Sequence, residues 1–169
     1  MVLLSLNKKT PGNWTLVSDV ETIPATGAIA VPVAALTADN NSLLNREGGI
    51  GVIVSTDTSY TELAPLVEKA AFFAVTFPGF GDGRGFSLAV RLRKDLGFKG
   101  EIRAVGPVIP DQAMHLMRAG FDSVEVTDAR KDAFEKALHR YQDFYQADFI
   151  GTNSVAHVRH GAPAERKTS

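Results

Sequence analysis

The chain has 169 residues, 44% of them hydrophobic and 22% charged, the composition of an ordinary globular protein with enough apolar side chains for one sizeable core. Its 18 basic and 19 acidic residues leave a formal charge of −1 and no run of one sign, which argues against nucleic acid as a partner. Cysteine is absent, which removes disulfides, thiolate nucleophiles, cysteine-ligated iron–sulfur clusters and cysteine zinc sites; any redox role needs a borrowed cofactor or partner.

Met1 to Leu6 is apolar, but no basic stretch precedes it and Lys8 and Lys9 interrupt it too early for a signal peptide or membrane span. A cytoplasmic protein with no membrane contact is expected. The region before residue 50 suggests edge strands at Trp14 to Val17 and Ala28 to Val31 and a helix from about Val33 to Asn45, with residues 1–27 forming a hairpin or an added edge. Four βα units follow. Gly51 to Ser55 reads as a strand leading to a helix capped by Ser59 and Glu62 and running to about Ala70. Phe72 to Thr76 leads through a glycine-rich turn to a helix from about Gly85 to Leu96, with Leu88, Leu92 and Leu96 inward and Arg91, Arg93, Lys94 and Asp95 toward water. Glu101 to Val105 leads to a helix opened by Pro110 and Asp111, with Met114 and Met117 inward. Ser123 to Val126 leads to a helix from about Arg130, whose aromatic stripe of Phe134, Leu138, Tyr141 and Tyr145 suits either the core or a homodimer contact.

Leu96-Gly97-Phe98 and Ala119-Gly120-Phe121 repeat one device 23 residues apart, a glycine helix stop followed by a hydrophobic contact. Units of this length imply a single three-layer α/β domain over residues 1–149, with a mostly parallel, flavodoxin-like or Rossmann-like open sheet; part of a (β/α) barrel is the alternative. Residues 150–169 lack apolar periodicity and read as a mobile tail, so His157 and His160 within it are not read as metal ligands. His115 and His139 stand alone on helices, and no metal site is expected. Hydrolase chemistry has no support either, because no serine nucleophile elbow is present.

The functional signal lies in Phe77-Pro-Gly-Phe-Gly-Asp-Gly-Arg-Gly-Phe-Ser87, where four glycines alternate within seven residues between a strand and a helix. The carboxyl ends of parallel strands are where α/β sheets bind ligands, and a helix N-terminus attracts anions. Asp82, Gly83, Arg84, Gly85 and Ser87 therefore suit a small oxyanion or phosphate, with Arg84 as a bidentate donor; the same glycines also suit a plain tight bend. The spacing matches neither the dinucleotide fingerprint nor the P-loop, so no cofactor is assigned. Asp111 and Gln112 occupy the adjacent turn. Arg103 joins them if its side chain runs to the same rim; otherwise Asp111 caps its helix and Arg103 reaches solvent from an edge strand.

This motif, with Leu92-Arg93, Leu96-Gly-Phe98, Gly100-Glu101, Arg103-Ala-Val-Gly106, Asp111-Gln112 and Gly120-Phe121-Asp122, resembles domain-of-unknown-function family 934, a bacterial family, over roughly residues 28 to 128. The resemblance implies sulfur assimilation, because members are labelled oxidoreductases of sulfite reduction from genes beside assimilatory sulfite reductase. It singles out Asp82, Gly83, Arg84, Gly85, Ser87, Arg103, Asp111 and Gln112. Three roles follow as expectations. One is an accessory protein that binds an oxyanion, sulfite reductase or another sulfur-assimilation enzyme. The others are a cofactor-dependent oxidoreductase and a non-catalytic interaction module.

Overall fold

The computed structural model describes residues 1–17, 23, 24, 26–36, 43, 46, 48–141, 144–146, 148, 154 and 155. The fold is a mixed α/β arrangement around one seven-stranded sheet that curls into a half-barrel. Its strands are β1 (Val2–Ser5), β2 (Thr15–Leu16), β3 (Ile29–Pro32), β4 (Ile50–Ser55), β5 (Phe72–Thr76), β6 (Glu101–Val105) and β7 (Ser123–Val126). The helices are α1 (Tyr60–Leu63), α2 (Arg84–Lys94), α3 (Ala113–Ala119) and α4 (Lys131–Leu138).

The strand order is β1-β7-β6-β5-β4-β3-β2, with β1 antiparallel to β7 and the other five pairs parallel. From β2 to β7 every new strand joins the same growing edge. A flavodoxin-like or Rossmann-like sheet instead reverses direction part-way, which sends helices to both faces and creates a switch-point crevice. No reversal occurs here, so the expected three-layer open sheet is not the observed winding. Right-handed crossovers that always step one way place their helices on one face, which is the winding of a (β/α) barrel stopped part-way.

That helix-bearing face holds the main core. Val52, Val54, Phe73, Val75, Ile102, Ala104 and Val124 meet Leu63, Leu88, Leu92, Leu116 and Phe134, all buried. The opposite face carries Ala30, Phe72 and Ala74, packed by Trp14, Leu16, Ile53 and Val105. Because β1 and β2 lie on opposite edges, the nine residues between Ser5 and Thr15, about ten Cα steps, must cross the sheet. They reach at most about 35 Å when extended, against about 29 Å across a flat sheet of seven strands. Curling shortens that chord, and the crossing segment is fastened on the way. Gly12 N–H donates to Glu101 Oε2 at 2.7 Å, its carbonyl accepts from Arg103 at 2.7 Å, and Trp14 stacks on Phe72 with ring centroids 4.9 Å apart.

Local signals explain most element ends. Ser59 and Glu62 form the expected capping box, with Ser59 N–H donating to Glu62 Oε2 at 2.8 Å, although the helix tightens to a 3-10 turn at Ala64–Leu66. Both glycine stops are built as expected: Gly97 and Gly120 have positive φ, and Phe98 N–H and Phe121 N–H reach back to the Leu92 and Leu116 carbonyls at 2.9 and 3.1 Å. Arg93, expected in water, is instead buried between the two stops. It donates to the Phe98, Gly100 and Gly120 carbonyls and pairs with Asp122. The glycine stops turn several carbonyls toward one point, and only a long guanidinium can satisfy them together.

Three further expectations shift. Met114 and Met117 are half-buried, because Ala113, Leu116 and Ala119 take the inward stripe of α3. Phe134 is buried, but α4 ends at Leu138, leaving Tyr141 62% and Tyr145 90% exposed outside the core. Val33–Ala35 is a 3-10 turn, and most of the helix expected to Asn45, like most of the tail after residue 149, lies outside the described residues. Among the described residues no helix is long and apolar enough to cross a membrane.

Candidate functional site

The carboxyl ends of β4 and β5 lie side by side, since Ser55 pairs in register with Thr76. The turn after β4 therefore meets the glycine-rich turn after β5. Thr56, 8% exposed, donates its hydroxyl to Asp82 Oδ2 at 2.7 Å. The other side of the Asp82 carboxylate takes up Arg84: Oδ1 accepts from the Arg84 backbone N–H at 3.0 Å and from Nε at 2.9 Å, while Oδ2 accepts from a terminal nitrogen at 2.7 Å. The remaining terminal nitrogen of Arg84 pairs with Asp57.

This wiring sets the electrostatics. The Arg84 and Thr56 hydrogen bonds hold the Asp82 carboxyl well below the ordinary carboxylate range, so it stays ionised and is a poor proton acceptor. Asp82 and then Asp57 raise the Arg84 guanidinium correspondingly. Two carboxylates face one guanidinium, and the cluster carries a net negative charge. The Asp82 fork is closed, so an incoming oxyanion competes with Asp57, which is 74% exposed, for the outer edge of Arg84, itself 58% exposed.

The glycines of the turn divide into two kinds. A Cβ on Gly85 would lie 2.5 Å from the Phe77 ring, so close packing of α2 on β5 requires glycine there. Added Cβ atoms on Gly79, Gly81 and Gly83 would meet nothing within 4 Å, and none of the three has a positive φ. Between them Phe80 is 60% exposed. The turn thus presents backbone without side chains around a solvent-facing aromatic ring, and no packing contact among the described residues demands glycine at these three positions.

The sequence-derived candidates do not form one cluster. Asp82, Gly83 and Arg84 meet at the rim, and Gln112 joins their turn by donating to the Phe80 carbonyl at 3.3 Å while its own oxygen accepts Ile109 N–H at 3.1 Å. Gly85 lies beneath them as a packing residue. Ser87 and Asp111 line a groove on the outer, helical side, where Asp111 pairs with Arg140 at 3.4 Å. Arg103 is 3% exposed on the helix-free face and neither runs to the rim nor reaches solvent. It bonds Glu101, Ser123 and the Gly12 carbonyl, lies 3.5 Å from Glu125, and packs over the Phe72 ring. A β6 side chain at that register points across the sheet rather than along it, and the crossing segment supplies its acceptor. Thr56 and Asp57 are the rim residues that the motif reading missed. Their signal was their place: they follow a strand adjacent to β5, and strand-end reasoning applies equally there.

Among the described residues no group of three or more histidine, aspartate or glutamate side chains could hold a metal ion. A family model described as bacterial protein of unknown function (DUF934) matches residues 51–156, which takes in β4 to α4, the rim cluster and the glycine-rich turn. No curated protein matches the chain.

Proposed function

The chain belongs to the bacterial protein family of unknown function DUF934, and from that membership we propose that it is an accessory protein of assimilatory sulfite reduction, docking on a partner enzyme of sulfur assimilation through its glycine-rich turn. The pathway rests on the label that the family carries. The docking role rests on one observation, the bare backbone at Gly79, Gly81 and Gly83 around an exposed Phe80. An exposed aromatic ring flanked by backbone without side chains is a good anchor for a protein surface, which buries the ring and packs close against the glycines. The Asp57–Arg84–Asp82 ion pairs and the Gln112 contact stiffen the turn and lower the ordering cost on binding.

The test is complementation of a strain that lacks the gene and grows on sulfate as its sole sulfur source. A chain with Gly79, Gly81 and Gly83 all replaced by alanine should keep the native melting temperature and fail to restore growth. Full restoration by that variant sinks the docking role. A second reading, capture of a small oxyanion, is favoured by the exposed Arg84–Asp57 contact. In that case Asp57→Ala frees one edge of the guanidinium, and sulfite should raise the melting temperature of that variant more than that of wild type, with no effect in Arg84→Ala.

A further inference from the structure

A groove of about 710 Å³ runs between α2 and α3 on the helical side, from beside Ser87 past Lys94, and the segment after α4 borders it through Arg140, Tyr141, Phe144 and Gln146, with Arg118 packed over the Phe144 ring and donating to the Gln146 carbonyl. Val90 and Arg91, with Lys94 one turn further on, recur at helical spacing along its α2 wall, while Met114 and Arg118 face them from α3. A second cavity of about 690 Å³ continues past the helix ends, sharing Lys94, Arg118 and Asp148 with the first and adding Lys9, Lys99 and Met117. The floor is apolar and incompletely covered: Phe86, Val90, Met114 and Met117 are all half-buried.

The walls concentrate positive charge. Together the two cavities are lined by seven lysines and arginines against three aspartates, in a chain whose 18 basic and 19 acidic residues leave it at −1 overall. The rest of the molecule is correspondingly acidic. Arg93 and Arg140 are answered by Asp122 and Asp111. Lys9, Arg91, Lys94 and Lys99 are exposed and form no ion pair with another described residue.

We propose that this groove docks an acidic amphipathic segment of a partner protein. Its apolar stripe covers the Met114 and Val90 floor, and its carboxylates meet Arg91, Lys94 and Lys99. The charge complementarity sets the sign of the partner, and the apolar floor sets its amphipathic form. A small anion leaves the methionines uncovered. A continuous phosphate backbone meets Asp111 and Asp148 on the walls. From Ser87 to Lys94 the groove measures about two helical turns, enough to seat side chains at i, i+3, i+4 and i+7. The inference does not depend on the role given to the glycine-rich turn, which lies outside the groove's basic walls.

The probe is a fluorescein-labelled peptide of about 18 residues, five turns of helix, with leucine at i, i+3, i+4 and i+7 and glutamate elsewhere, titrated with the full chain by anisotropy. Saturable binding is expected, weakened by salt and weakened about tenfold or more in the double variant Arg91→Gln/Lys94→Gln. Both side chains are exposed, so that variant should keep native circular dichroism and melting. Arg84→Ala should bind as wild type does, which separates this surface from the turn. The proposal is overturned if the Leu–Glu peptide does not bind, or if a leucine–lysine peptide of the same pattern binds equally well. It is also overturned if the natively folded double variant binds unchanged, if a single-stranded oligonucleotide displaces the peptide at lower concentration, or if sedimentation shows the peptide merely splitting a dimer of this chain.

Discussion

Asp82 is held by three donors from Arg84 and one from Thr56, so its ionised form is favoured in the folded chain relative to the unfolded one. A carboxyl lowered by folding contributes stability above its unfolded value of about 4, and that contribution drains as pH falls below it toward the folded value. The melting temperature of wild type should therefore drop more steeply below about pH 4 than that of Asp82→Asn, and the difference should shrink in high salt because Arg84 is exposed. Equal slopes would mean that the cluster contributes nothing to folding. Arg103 is the opposite case, a guanidinium 3% exposed between Glu101 and Glu125. Removing one member of a buried ionic group strands the rest, so Arg103→Ala should cost about 3–5 kcal/mol in urea unfolding. A cost under about 1 kcal/mol would place it with surface pairs.

At the scale of elements, the strand–turn–helix unit from β5 to α2 combines fold and function in alternate glycines. Gly85 lets α2 approach β5 until the Phe77 ring fills the place of a side chain. Gly85→Ala should lose about 1–3 kcal/mol through overpacking, whereas Gly81→Ala, with open space above it, should stay within about 0.5 kcal/mol of wild type. Equilibrium unfolding of the two variants checks the division, and equal losses would remove the argument that the outer glycines serve an external contact. The helices were readable in sequence because their signals are local: the Ser59–Glu62 capping box, the two Gly-Phe stops and the Leu88–Leu92 stripe each act within a few residues. Arg93 was misread for the complementary reason. Its partners, Asp122 and the carbonyls of Phe98, Gly100 and Gly120, come from two separate helix ends, and periodicity along α2 carries no information about them.

Among the described residues the helices lie on one face of the sheet and the other is crossed by a short segment tied to β6, and the chain's one tryptophan sits at that crossing. If the crossing is part of the cooperative unit, Trp14 fluorescence and far-ultraviolet circular dichroism should change together on urea unfolding. An earlier fluorescence transition would show the segment detaching before the sheet melts. The sequence by itself determined the α/β class, the βα units from residue 51 onward, the helix caps and the motif at residues 77 to 87, since all of these depend on neighbours in the chain. Tertiary structure alone decided the rest. Successive right-handed crossovers can step one way or reverse, and each unit reads the same in either case, so the half-barrel winding appeared only in the strand order. The same holds for the site: strand order put Thr56 and Asp57 beside Arg84, the pleat turned Arg103 across the sheet, and helix packing placed Ser87 and Asp111 on the outer groove. Side-chain direction depends on register between strands distant in sequence, and no residue's own neighbours specify that register.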